Sequence, residues 1–291
     1  MMQYSVETVV KFARARHRLW EGKPVKSAIL RTRKFTNVFR VLDRGSQYLL
    51  QLMDLHDEPI DRLALSYFYR QVNRPDTMDD IIEANDGYVP EAAEIFDPKW
   101  YDKVVRPVAA ARPGRFLSGA YMIVVSPNDP RPIVDKMQAT FPAAADLLGH
   151  VAEVGDLATR VLLLQEVRGI AAFMAMQIAT DLGYTRGEPD QENTYILPGP
   201  GAKRGAGFLV GKTYASEKEA RDIIQNFPVE LLPSLPGSNG RPASWMDVQN
   251  VFCEFSKYAR FLEKPIPKSA TPYRRNGDFD VVIPEQFILK K

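Results

Sequence analysis

The chain is short of reactive and metal-binding side chains. Its 291 residues include one cysteine, Cys253, and three scattered histidines, His17, His56 and His150. A single thiol excludes an internal disulfide, and the histidines do not fall at zinc-ligand spacing. Long hydrophobic runs are missing too. No segment approaches the ~20 apolar residues that span a bilayer, and no signal-like apolar core opens the sequence. No membrane partner is expected, and a reducing cytoplasm fits best. Charge of one sign is also scarce: the net value is only +2. Any nucleic-acid surface must therefore be a local patch. Internal repeats and low-complexity tracts are absent, and alternating strand patterns are few.

What remains is ordinary globular material, 45% hydrophobic and 25% charged, enough for one large core or two smaller ones. Helical periodicity dominates. It predicts helices over 5–20 (behind a Ser5 cap), 27–53 (with a break near Gly45), 59–73, 76–85 (capped by Asp76), 130–149, 151–166, 168–183 and 244–263. The stretch 86–130 is richer in proline and glycine, and its "FLSGAYMIVVSP" reads equally as buried helix or strand. Residues 228–243 form a Pro/Gly/Ser loop, and 264–291 an irregular basic tail. The expected fold class is mainly α.

One stretch stands out. "LPGPGAKRGAGFLVGKT" (197–213) packs five glycines and three cations into seventeen residues, a composition that suits backbone N–H groups reaching for phosphate. A nucleotide P-loop requires G-x-x-x-x-G-K-[ST] after an apolar strand. Gly211-Lys212-Thr213 instead has Gly207 four positions before Gly211, and no strand precedes it. The first half, "LPGPGAKRG", suits a tight Pro/Gly turn between two helices. In that hairpin Gly199 and Gly201 would offer N–H groups to a DNA phosphate, with Lys203 and Arg204 beside it. A plain glycine-rich connector with solvated cations is the competing reading.

Three helices place polar residues suggestively. On a helix through "RKFTNVFRVLDRGSQYLL" (33–50), Phe35, Val38, Phe39, Leu42 and Leu49 form an apolar face. Asn37, Arg40 and Arg44 then line the other side, flanked by Asp43 and Gln47. In 168–184, Gln177 and Asp181 share the side of Ile170, Phe173 and Met174, so they are bonded internally or functional. In "WMDVQNVFCEFSKYARF" (245–261), Val248, Phe252, Phe255, Ala259 and Leu262 face the core. Asp247, Asn250, Glu254 and Tyr258 share the opposite side, with Lys257 at its edge. Two carboxylates two turns apart can hold a proton, an amine or a metal; a solvated ion-pair stripe explains them equally well.

Taken in order, "RKFTNVFRVLDRGSQYLL", "FLSGAYMI", "FMAMQIATDLGY", "PGPGAKRGA" and "DVQNVFCEFSKYARF" resemble one group. These are the α-glutamyl/putrescinyl thymine pyrophosphorylases and amino acid:DNA transferases of bacteriophages, together with the helical domain of 5-hydroxymethyluridine DNA kinases. The resemblance spans roughly residues 10–265 and is most specific at N-V-F-R-x-L-D-R and G-P-G-A-x-R-G. It implies a helix-hairpin-helix, DNA-glycosylase-like fold in a single domain, with a two-lobed version holding the active site in its cleft. It implies an amine displacing pyrophosphate from a 5-pyrophosphoryloxymethyl-deoxyuridine in double-stranded DNA, in a host cytoplasm if phage-encoded. The partners would be that DNA and a free amino acid or polyamine, and Mg²⁺ is the candidate cofactor. Matching positions are Asn37, Arg40, Asp43, Arg44, Gln177, Asp181, Gly199, Gly201, Arg204, Asp247, Glu254 and Lys257. Arg40 and Arg44 would steady departing pyrophosphate, with Asp43 and Lys257 also catalytic. Asp247 or Glu254 would take the amine's proton, and Asn37, Gln177 and Asp181 would contact substrate. One departure matters: a glycosylase aspartate about twenty residues past the hairpin would fall near Asp222, far short of Asp247. Two rivals stand beside this reading, a glycosylase or lyase acting on modified bases and a non-catalytic DNA-binding module.

Overall fold

The computed structural model describes residues 3–118, 129–185, 191–268, 270–273 and 281–290. Most of "FLSGAYMIVVSP" lies outside the described residues. Among them the fold is mainly helical, with no strand beyond an isolated bridge between Arg33 and Pro272. The chain divides into two compact units, one built from 1–44 and 196–291, the other from 45–195.

In the first unit, α1 (Val6–Trp20) starts where expected, with the Ser5 side chain accepting from the Thr8 N–H. The long helix expected over 27–53 is three pieces. α2 (Ala28–Thr32) stops at Arg33, residues 40–42 form one 3₁₀ turn, and α3 (Arg44–Met53) follows. The intervening FTNVF is drawn from the poorer helix formers, and much of its backbone is satisfied by tertiary partners described below. No helical face therefore aligns Asn37, Arg40 and Arg44.

The second unit comprises the rest of α3, then α4 (Pro59–Val72), α5 (Pro75–Ala84), α6 (Ala92–Ile95), α7 (Pro98–Trp100), α8 (Arg106–Ala111), α9 (Ile133–Gln138), α10 (Phe141–Glu153), α11 (Leu157–Leu164) and α12 (Ala172–Thr185). α5 begins one residue earlier than expected because Pro75 takes the first helical position, where its missing N–H costs nothing. Arg74 is thus the N-cap, and Asp76 sits in the first turn. The helix expected over 130–149 divides around Thr140, and Pro142 restarts it as α10. α4 is buried at every position from Leu63 to Val72. Tyr67 and Phe68 pack on Phe141, with ring centroids 6.1 and 6.4 Å apart.

The first unit resumes with α13 (Pro200–Leu209), α14 (Glu217–Gln225) and α15 (Trp245–Glu263). An aromatic cluster joins α1 to α15, Phe12 lying 5.7 Å from Phe255 and 4.9 Å from Tyr258. Val248, Phe252, Phe255 and Ala259 are fully buried as expected, whereas Leu262 is exposed. Described residues of the 264–291 tail pack onto the rest of the first unit. Phe287 is buried beneath the Arg241 guanidinium at 3.9 Å, and the Leu289 N–H donates to the Ser238 carbonyl.

Candidate functional site

Three of the five glycines of 197–213, Gly201, Gly205 and Gly207, answer a packing demand. Gly199 is the N-cap of α13 and Pro200 its first residue, a helix-start pair rather than a turn between helices. α12 ends at Thr185, and residues 191–199 are not helical. Among the described residues, then, no helix runs directly into 197–205 to make the tight hairpin expected there. Gly201 and Gly205, one turn apart, face α15: a Cβ on Gly201 would meet the Cys253 side chain, and one on Gly205 would meet the Phe252 backbone. Gly207 is pressed by the returning chain, a Cβ there lying 2.8 Å from the Lys212 carbonyl oxygen. Lys212 pairs with Glu219 rather than standing free for a nucleotide. Lys203 pairs with Glu217 at 3.6 Å.

The polar stripe of α15 works as a ladder. Asp247, Asn250, Glu254 and Tyr258 recur at helical spacing, and three of them hold the segment 36–40. The Thr36 N–H donates to Glu254 Oε2 (2.9 Å), the Thr36 hydroxyl to Asn250 Oδ1 (3.2 Å), and the Arg40 N–H to Asp247 Oδ1 (2.8 Å). Asn250 Nδ2 donates back to the carbonyls of Asn37 and Val38. Lys34 N–H reaches the Thr271 carbonyl, and Arg16 Nε the Phe35 carbonyl (3.1 Å). These bonds satisfy much of the segment's backbone without a helix.

The two carboxylates differ in access. Asp247 is sealed, 1% exposed, and closes a capping box with Ser244 while lying 3.5 Å from Arg241. Burial pushes its pKa up, against the pull of Arg241 and of the donors from Ser244 and Arg40. Glu254 instead lines an open groove of ≈ 250 Å³ between α13 and α15. Arg204, Lys257 and Arg260 line the same groove, as do Gly201, Cys253 and Ser256. Lys257 Nζ is 2.6 Å from Glu254 Oε2 and sits over the Phe35 ring at 4.6 Å. Arg204 lies over Tyr214, its guanidinium 4.7 Å from the ring centroid. The first-turn N–H of Gly201 adds a partial positive charge, since Gly199 supplies no side-chain cap. Burial lifts the Cys253 thiol to about 12.

The structure thus gathers Gly201, Arg204, Glu254 and Lys257 of the sequence-derived set into one groove, to which Arg260 is a cation the sequence reading passed over. Asn37 and Arg40 are buried in the ladder segment and do not line the groove, Asp43 is half-buried, and Arg44 is exposed at the start of α3. Gln177 and Asp181 belong to the other unit and are buried there. Asp181 is held by Arg70 through two bonds of 2.6 and 2.7 Å and by the Ser66 hydroxyl at 2.9 Å, a structural ion pair. A second residue missed in the sequence is Arg16, 6% exposed on the apolar side of α1 with Val9, Phe12 and Ala13. A cation in register with an apolar stripe was the available signal.

Among the described residues no group of three or more His, Cys, Asp or Glu is placed to hold a metal. Among the described residues the groove's one carboxylate, Glu254, is tied to Lys257. No helix among those residues is long and apolar enough to cross a membrane.

No curated protein and no solved structure matches the chain. A family model does, over residues 3–267, and its description is 5-hmdU DNA kinase, helical domain. With nearly the whole length covered, the chain belongs to the family of that helical domain.

Proposed function

We propose that this protein is a transferase of DNA thymine modification that uses the α13–α15 groove to exchange pyrophosphate for an amine on a 5-pyrophosphoryloxymethyl-deoxyuridine. The observation that carries the reading is the convergence of Arg204, Lys257 and Arg260 on a groove that also presents Glu254. Family membership supports DNA as the substrate. At ≈ 250 Å³ the groove is smaller than the ~300–1,000 Å³ usual for whole ligands. It suits a small anion and a small amine, with the base carried in on a flipped or unpaired nucleotide.

In this reading the amine nitrogen donates its lone pair to the exocyclic methylene carbon of the base. The carbon–oxygen bond breaks, and its electron pair leaves with pyrophosphate. The cations and the Gly201 N–H meet the charge as it develops, where preorganised donors are most effective. The amine sheds its extra proton to the Glu254 carboxylate, which faces the groove, while sealed Asp247 supports the ladder. The test is duplex DNA bearing the pyrophosphorylated base, incubated with the protein and candidate amines, then digested for mass spectrometry. An aminomethyl nucleoside and equimolar pyrophosphate are expected. Abasic sites would point to a glycosylase, and an unchanged base would leave a binding module.

The binding-module reading has one observation in its favour: both Asp247 and Glu254 are engaged by the backbone of 36–40. Retention of full DNA affinity with no product under any amine would select it.

A further inference from the structure

Tyr214 is the one aromatic side chain on the groove wall among the described residues, and the exchange chemistry leaves it without a part. It ends the exposed loop 210–214 and is itself 46% exposed. Single exposed aromatics are common on protein surfaces, but Tyr214 is held at both backbone and ring. The loop is seated on α13. The Val210 and Lys212 N–H groups donate to the Gly207 carbonyl (3.1 and 2.8 Å), and the Ala215 N–H donates to the Lys203 carbonyl (2.9 Å). Gly207 permits that approach, since a Cβ there would lie 3.0 Å from the Tyr214 carbonyl carbon. The Lys212–Glu219 pair ties the middle of the loop. At the ring, the Arg204 guanidinium lies 4.7 Å from the centroid and its Nη2 donates to the hydroxyl. A flat ring fixed in this way loses little freedom when a ligand settles on it.

We propose that Tyr214, backed by Arg204, is the platform on which an unpaired pyrimidine base stacks while its exocyclic methylene is presented to the groove. The inference rests on the amine-transfer reading of that groove. At ≈ 250 Å³ the groove takes an anion and a small amine, so the base itself must rest against the wall. The other side chains of that wall are charged or small, and a neutral, planar pyrimidine finds its match in an aromatic face. Stacking of this kind reads a base without hydrogen bonds to its edge, leaving the 5-substituent open to chemistry.

The test separates the base from the backbone. Two labelled single strands of equal charge are compared, one entirely abasic, the other abasic except for a single 5-hydroxymethyluracil. The abasic run removes the cost of unpairing. In fluorescence anisotropy with the full chain, the strand with the base should bind at least about tenfold more tightly, within the range of one base on an aromatic ring. Tyr214→Leu should erase that preference, and Tyr214→Phe, which keeps the ring and loses only the hydroxyl, should retain most of it. Both variants should keep the wild-type salt dependence, because stacking neutralises no phosphate. In duplex DNA with 5-iodo-deoxyuridine at the target position, irradiation should cross-link the base to Tyr214, identified by mass spectrometry of the peptide. Equal wild-type affinity for the two strands, binding to neither, or a base preference that survives Tyr214→Leu would overturn the platform. A Tyr214-dependent base preference without pyrophosphate release from pyrophosphorylated DNA would sustain the platform and sink the transferase reading. Pyrophosphate release with no base preference would do the reverse.

Discussion

Asp247 shows why a carboxylate on a helix is ambiguous until its neighbours are known. Its two oxygens accept from Arg40 N–H, Ser244 N–H and the Ser244 hydroxyl, at 2.8, 2.9 and 3.0 Å. Asparagine has one acceptor where three donors converge, and turns an NH₂ toward one of them. Asp247→Asn should therefore destabilise the fold by ~1–3 kcal/mol, read as a lowered midpoint in urea. A midpoint matching wild type would release Asp247 from the ladder and return it to the candidate bases. The sequence had put Asp247, Glu254 and Lys257 on one side of one helix, and that placement holds. It had no means of separating a sealed acid from a groove-facing one, because the difference lies in what residues 36–40 bring to each. Arg16 was legible in principle, since a cation in the Val9–Phe12–Ala13 stripe breaks the apolar pattern of α1.

At the scale of elements, periodicity found most helices, and local chemistry set their ends. Ser5 was readable as a cap because its side chain acts within its own turn. The segment 33–43 was misread because its apolar spacing fits a helix while backbone bonds of Thr36 and Arg40 go to residues 218 and 207 positions away. The glycines of α13 had a signature that phosphate binding and close helix packing share. The two are separable by mutation. Gly201→Ala forces a Cβ into the Cys253 side chain, whereas Gly205→Ala meets the Phe252 backbone, which cannot be trimmed. Each should cost ~1–3 kcal/mol, the usual range for overpacking. Adding Cys253→Ala should recover stability for the Gly201 variant and not for the Gly205 variant, a coupling measured by a double-mutant cycle. Equal behaviour of the two glycines toward Cys253→Ala would contradict this packing.

For the molecule as a whole, the fold class was legible and the division of labour was not. Residues from both ends of the sequence build the first unit, so its groove collects α13 and α15, while the ladder beside it collects 36–40. Gln177 and Asp181, which the sequence placed in the same functional set, belong to the second unit, where Arg70 takes up Asp181. The central claim is that the groove itself performs the exchange, and single-turnover release of pyrophosphate from saturated, pyrophosphorylated duplex DNA tests it most directly. Glu254→Gln keeps an acceptor for the Thr36 N–H and removes the proton acceptor; Arg260→Ala removes an exposed cation from the groove wall. Both should fold and bind DNA, with Arg260→Ala slowing release by as much as ~10²–10³-fold, the scale of one lost charge-stabilising donor. Glu254→Gln should recover as pH rises and more of the amine arrives already deprotonated. Wild-type release rates in both folded variants would place the chemistry outside the groove.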